Sequence, residues 1–373
     1  MQSITEKVSR NNIVYFVFKT SLNFFFIIIR ILIKPLSENS ENVAIVALHK
    51  LGDSVFTIPA IWEIHKRLRN KKITILCYPE VVSIYAQALT DVNFSELEHK
   101  HFYLNGRYAN SKARKKLKVI KPEIIFDLTG VMTSATLIFM SRAKEIIGFN
   151  REHFKSIYTH YCPKTEIPHL SKMYLSVIKP YFNILDDVSS CDFPIQNNLS
   201  GRILIQPFAG WKAKEWNFNK FVDLGKQLSE TYKIEFVIPG NMKNSSEAIA
   251  IRDEGFNIIE TSTTDELISK LKEASLLISN DSGPIYIAGL LGIPTFTIFG
   301  PTNPLFHNLG GKYHKFIQKK IHCSPLENEK QCFTKGGRVG CPSFECMHQL
   351  SLNEVTNKIE QFISELKING SLK

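Results

Sequence analysis

The sequence predicts an α/β protein made of two consecutive doubly wound, Rossmann-like halves closed by a C-terminal helix. Three observations predict it. Short β-branched apolar runs alternate with helical stretches, the alternation starts afresh after residue 196, and several strand ends run straight into glycine- and serine-bearing turns. Buried parallel strands read as near-continuous hydrophobic runs, and helices between them cover both sheet faces.

The first element lies outside that pattern. Residues 13–33 (IVYFVFKTSLNFFFIIIRILI) are apolar but interrupted by Lys19, Thr20, Ser21, Asn23 and Arg30. The length just permits a bilayer span, and the interruptions oppose one. No small-residue cleavage site follows, which argues against a signal peptide. The pattern predicts a helix lying in the membrane interface, with Lys19 and Arg30 reaching anionic head groups and Phe and Ile side chains entering the acyl boundary. A helix packed on the core is the alternative reading.

After the polar linker Glu38 to Asn42, strands are predicted at Asn42–Leu48, Lys72–Tyr78 and Glu123–Thr129. A second set follows the polar segment Gln196 to Gly201. Its strands are predicted at 202–208, 233–240, 275–281 and 295–301, with helices at 221–230 and 265–274. Leu352 to Leu366 carries Val355, Ile359, Phe362, Ile363 and Leu366 at helical spacing. The division is therefore 1–40 (amphipathic helix and linker), 41–195 (first Rossmann-like domain), 196–350 (second) and 351–373 (closing helix). A chain of 373 residues suits two domains at about 100–200 residues each.

Composition narrows the function. A formal charge of +11 favours an anionic partner, such as a membrane surface or a phosphorylated substrate. Nucleic acid is not expected, because no zinc-finger spacing, basic heptad helix or RNP-like strand is present. The seven cysteines are an odd number without a secretory context, so a reducing compartment is expected. A nicotinamide dehydrogenase is disfavoured because no G-x-G-x-x-G follows either first strand.

Three stretches carry chemistry. In Leu48–Lys66 a strand ends in Leu51-Gly52-Asp53-Ser54, where open α/β sheets bind ligands. Gly52 permits close backbone approach and Asp53 can face the interdomain cleft, although Asp53 or Ser54 as a mere helix N-cap explains the spacing equally well. In Gln206–Leu224 a small-residue turn, Ala209-Gly210, precedes Lys212 and Lys214, a set of donors suited to a diphosphate. Trp211 and Trp216 either line that cleft or anchor in the core. In Leu276–Pro304 a buried strand ends in Asn280-Asp281-Ser282-Gly283, and Pro284 takes a first-turn position. The free N–H groups of that helix would face an anion. A second turn, Gly300 to Pro304, reaches the same edge.

Together these stretches resemble glycosyltransferase family 9, the ADP-heptose:lipopolysaccharide heptosyltransferases, over Asn42 to Phe362. The resemblance implies a GT-B architecture of two facing domains, acceptor in the first and donor in the second. It implies Asp53 as general base for an inverting transfer, with Gly52 and Ser54 beside it. Lys214, flanked by Ala209, Gly210 and Trp216, is implied to neutralise the leaving nucleoside diphosphate. Asp281, Ser282, Gly283, Pro284, Tyr286 and Thr302 are implied donor contacts, and Ser262 falls near the adenine-contacting position. Fixed amides and no metal cofactor would stabilise the leaving group. The chain departs from the family in two places. Tyr286 stands where members often carry His, leaving donor identity open, and residues 1–40 precede the usual start.

Cys323, Cys332, Cys341 and Cys346 are separated by eight, eight and four residues, without the close pairs of common zinc sites. Packing, redox pairing and metal binding remain open for them. His49 could touch the acceptor or be a solvated loop residue. The basic run Lys112 to Lys118 could be a solvated helix face or bind an anionic acceptor or lipid.

The expectation is a transferase at the cytoplasmic face of a membrane. It takes a nucleotide-sugar, expected to be ADP-heptose, and a lipid-linked saccharide acceptor, with residues 13–33 on an anionic membrane surface. A transferase using another nucleotide-sugar, or a non-catalytic nucleotide-sugar- or glycan-binding protein, are the rivals.

Overall fold

The computed structural model describes residues 20–21, 23–33, 35, 40–104, 106–149, 154–163, 165, 167–184, 193–195, 201–332, 341 and 343–368. The first sheet is parallel and six-stranded, in the order β3-β2-β1-β6-β7-β8. Its strands are β1 (Asn42–Val46), β2 (Lys72–Cys77), β3 (Asn93–Glu96), β6 (Ile124–Asp127), β7 (Glu145–Gly148) and β8 (His160–Tyr161). A hairpin of β4 (Phe102–Tyr103) and β5 (Tyr108–Ala109) stands apart from it.

The second sheet repeats this arrangement as β11-β10-β9-β12-β13-β14, again parallel. Its strands are β9 (Arg202–Gln206), β10 (Lys233–Pro239), β11 (Asn257–Thr261), β12 (Leu276–Asn280), β13 (Thr295–Phe299) and β14 (His314–Gln318). In each sheet the strand order reverses beside the first strand, and such switch points open a crevice at the carboxyl ends. All three chemical stretches follow strands at these points: β1, β9 and β12.

The helices follow from local chemistry. α1 (23–32) precedes the first sheet. α2 (Leu51–Arg67), α3 (Pro79–Ala88), α4 (Ser111–Ile120), α5 (Met132–Ile138) and α6 (Leu170–Phe182) cover that sheet. α4 begins where the Asn110 side chain accepts from the Lys112 and Ala113 amides. The second sheet carries α7 (Phe218–Ser229), α8 (Ser246–Asp253), α9 (Thr264–Leu271), α10 (Gly283–Leu290), the short α11 (Pro304–His307) and α12 (Glu345–His348), and α13 (Leu352–Ile368). α7 starts three residues earlier than the sequence predicts because Asn217 caps it. α13 buries Val355, Ile359, Phe362, Ile363 and Leu366 in the second core, beside Phe221 and Phe296.

Predicted outlines shift elsewhere as well. The strand expected over 123–129 ends at Asp127, whose Oδ1 accepts the Thr129 and Gly130 amides and turns the chain. At the N-terminus, residues 13–19 of the predicted interfacial helix lie outside the described residues. The remainder, α1, is held on the first domain along one edge only. Phe26 is buried against Phe139 and Phe154, and Arg30 donates to the Ser141 carbonyl at 3.2 Å. Phe24, Phe25, Ile27, Ile28, Ile31 and Leu32 stay exposed. Among the described residues no helix is long and apolar enough to cross a membrane.

Candidate active site

The site forms where the N-termini of α2 and α10 meet across the two domains. Glycine makes the approach possible. A Cβ on Gly52 would stand 2.9 Å from the Tyr286 ring, and one on Gly283 would stand 3.0 Å from the Leu51 Cβ. Any side chain at either place would push the helix ends apart.

On the first domain's side stands Asp53, exposed in the opening turn of α2. The N-cap position belongs to Lys50, and no side-chain bond caps this helix. Asp53 is therefore not used as a cap, and among the described residues no hydrogen bond or ion pair engages its carboxylate. Its charge acts on the Tyr286 hydroxyl and the His307 imidazole across the cleft. Ser54 requires correction as a substrate contact: it is fully buried, and its hydroxyl donates back to the Leu51 carbonyl at 2.6 Å. His49 is buried too, with Nε2 3.1 Å from the Leu128 carbonyl and its ring against Tyr174.

On the other side Asp281 is the hub. It is 1% exposed and accepts from Lys214 Nζ at 2.5 Å, Thr302 Oγ1 at 2.6 Å and the Tyr286 hydroxyl. Burial alone would raise its carboxyl; the Lys214 charge, then that of His307 and the hydrogen bonds, outweigh burial and hold it below the usual carboxylate range. Burial and the neighbouring Asp281 drive the Tyr286 hydroxyl the other way, well above the ordinary phenol. His307 Nδ1 lies 3.0 Å from the Asn303 carbonyl, and burial lowers its imidazole against the pull of Asp281. Lys214 also lies 5.1 Å from the Trp211 ring centroid.

The end of β12 is tied to the turn after β9. Ser282 Oγ donates to Gln206 Oε1 at 3.2 Å, as does Ser279 at 2.7 Å. Asn280 receives the Trp216 amide and donates to the Pro207 carbonyl. Trp216 is 1% exposed, packs on Phe221 and donates its indole N–H to the Leu350 carbonyl, and it forms part of the wall of the cavity at this edge. The Ala209 amide is held by Glu215, which also pairs with Lys212 at 2.7 Å. Gly210 is exposed, with open space beside its Cα. Pro284 lies in the first turn of α10.

Ser262 follows β11 and is exposed, its amide bound by Glu266 at 2.6 Å. It lies against Gly240, after β10, so it shares the carboxyl edge with the other donor-side residues. A cavity of about 600 Å³ opens at this edge, lined by Phe208, Ala209, Lys212, Glu215 and Met242.

Sequence reasoning missed Gln206, Glu215 and His307 as site residues. Gln206 and Glu215 lie inside a motif already singled out, whereas His307 gives no sequence signal beyond following Pro304. The four late cysteines, whose spacing promised little, line one cavity of about 360 Å³ with His322 and Glu345, and all are free thiols. Burial and the neighbouring thiols raise the Cys346 sulfhydryl to about 11. Among the described residues no group of three or more His, Cys, Asp or Glu is disposed to hold a metal ion.

Two facing parallel α/β domains of six strands each have the GT-B architecture. Residues 111–339 match the model of glycosyltransferase family 9 (heptosyltransferase), and the chain belongs to that family. It is 20% identical over 332 residues to lipooligosaccharide heptosyltransferase 2 of Campylobacter jejuni, covering 83% of this chain and 96% of the relative. Among solved structures, the glycosyl transferase family 9 protein from Veillonella parvula superposes with a TM-score of 0.70 at 18% identity, over 89% of this chain and 100% of that one. E. coli heptosyltransferase WaaC with ADP-2-deoxy-2-fluoro heptose superposes with a TM-score of 0.63 at 15% identity, over 86% and 99%.

Proposed function

We propose that this glycosyltransferase moves heptose from ADP-heptose to a lipopolysaccharide-core or other lipid-linked saccharide, with inversion and without a metal cofactor. The observation that carries the reading is Asp53, an exposed carboxylate left uncommitted at the cleft while the buried Asp281 opposite it is engaged by Lys214. Asp53 takes the proton of an acceptor hydroxyl as its oxygen bonds to the anomeric carbon. The bond from that carbon to the diphosphate oxygen breaks on the opposite face, and ADP leaves with the electron pair. General base catalysis of this kind is worth about 10²–10⁴-fold.

Lys214 supplies the charge that meets the leaving diphosphate, exchanging its Asp281 partner for phosphate oxygens. The N-terminus of α10 adds free amides on the same side. The name of the Campylobacter relative and the ADP-sugar held by WaaC support this donor and acceptor. The reading includes docking at the inner face of the cytoplasmic membrane through residues 13–33, supported by the exposed Phe and Ile side chains of α1 and the charge of +11.

Tyr286 favours a second reading, the same chemistry with a different nucleotide-sugar, because its hydroxyl cannot carry a positive charge beside Asp281. The test is nucleoside diphosphate release from ADP-, UDP- and GDP-sugars with a lipid-saccharide extract. Acceptor-dependent ADP release from ADP-heptose, lost in Asp53→Ala while donor still binds, supports the proposal. Turnover of a UDP- or GDP-sugar alone moves the donor, and no turnover with any sugar sinks the enzyme reading.

A further inference from the structure

The first domain carries a cavity of its own, lined by none of the residues placed above at the candidate active site. It has a volume of about 1070 Å³ and lies between α1, α4 and the end of α5. That is the upper end of the size of ligand pockets, about 300–1,000 Å³. Leu32, Leu137 and Met140 give it an apolar lining, and among the described residues no Asp or Glu lines it. Lys115, Lys118 and Arg142 stand on its rim, all exposed.

A further observation comes from Ser141. Its residue is 9% exposed and lines this cavity, and its hydroxyl is the one buried side-chain oxygen or nitrogen without a hydrogen-bond partner among the described residues. Buried hydroxyls without a partner are costly, so one at a cavity wall points to a polar atom supplied from outside. The Ser141 carbonyl meanwhile anchors Arg30 of α1. The wall of the cavity is thus the same helix that exposes Ile31 at 75% and Leu32 at 71%, and Val119 and Met140 extend that apolar surface at 71% and 51%.

An apolar pocket, cations of one charge sign on it and a lining serine whose hydroxyl is unsatisfied match one kind of occupant. We infer that this groove binds an anionic glycerophospholipid of the bilayer, one acyl chain inside and the headgroup phosphate on Lys115, Lys118 and Arg142. Ser141 then meets an ester or phosphate oxygen. The inference deepens the membrane docking proposed above and rests on it, adding a defined lipid site to a surface contact.

The test uses the full chain with vesicles of phosphatidylcholine, with and without phosphatidylglycerol. Wild type is expected to float with the phosphatidylglycerol vesicles only. A Met140→Trp variant is expected to lose fluorescence when the phosphatidylglycerol carries brominated acyl chains, beyond any loss in wild type. The K115Q/K118Q/R142Q triple variant, with an unchanged thermal melt, is expected to bind roughly 100-fold more weakly, from the loss of three cations near an anionic surface. A Met140→Trp protein that floats without added quenching overturns the groove and leaves membrane docking standing. So does a triple variant that binds like wild type. Failure of wild type to float overturns both.

Discussion

Asp127 ends β6 and Asp281 follows β12, the corresponding strand of the second domain, yet their charge states are set in opposite directions. Each stands at the carboxyl end of the strand beside the central one, and each is buried to 1% exposure or less. Asp127 accepts only neutral donors: the Thr129 and Gly130 amides, Ser134 Oγ at 2.8 Å and the Tyr158 hydroxyl at 2.7 Å. Burial outweighs those bonds and pushes its carboxyl up to about 6. Asp281 has fewer donors but one is Lys214, and its carboxyl is held low. Hydrogen bonds position a buried carboxylate, while a cation decides whether it stays charged. The first domain uses its acid to shape a turn, and the second uses its acid to fix a lysine where a diphosphate would come.

The comparison is broken most strongly by changing the acid that belongs to neither pattern. Asp53→Asn should lower transfer about 10²–10⁴-fold in a steady-state assay. Its unfolding free energy should stay within about 1 kcal/mol of wild type, the scale of a helix-end charge. Next in size is Lys214→Met, which leaves Asp281 buried without its cation. Denaturant unfolding should then show a loss of about 3 kcal/mol, the low end for breaking a buried pair.

Asp127→Ala removes the acceptor of four donors and should cost about 2 kcal/mol by the same measurement, with donor binding retained. Tyr286→Phe, which takes one hydrogen bond from Asp281 and leaves Lys214 in place, should cost about 1 kcal/mol. The two acids also give opposite pH slopes. A carboxyl raised on folding favours the folded state at pH below its unfolded value of about 3.9, and that contribution is lost as pH rises towards about 6. The lowered Asp281 contributes stability above about 3.9 that disappears as the medium is made more acid. Unfolding curves from pH 4 to 7 should therefore rise more steeply with pH in Asp127→Asn than in wild type.

Much of this was legible in the sequence where one short segment suffices. The runs NVAIV and LLISN announce buried parallel strands because every residue but the single Asn in each is apolar or small enough to bury. Pro284 after Ser282-Gly283 marks the start of α10 for the same local reason. What escaped depends on where a side chain turns. Nothing local distinguishes a Ser54 hydroxyl aimed at substrate from one folded back on Leu51. His307 comes into range of Asp53 and Asp281 only through the fold. The amphipathic reading of residues 13–33 and the core-packed alternative each describe one edge of α1, which buries Phe26 and exposes Phe24.

The glycine contact between α2 and α10 brings like poles together. Each helix start carries about half a positive charge, so two of them meeting across a domain boundary repel. Asp53 on one and Asp281 beside the other are the fixed anions that offset this. A bound diphosphate would add a third, between the two ends. The fit between the two halves is then a matter of ionic balance as much as of shape, and a high-salt buffer should loosen the empty protein more than the loaded one.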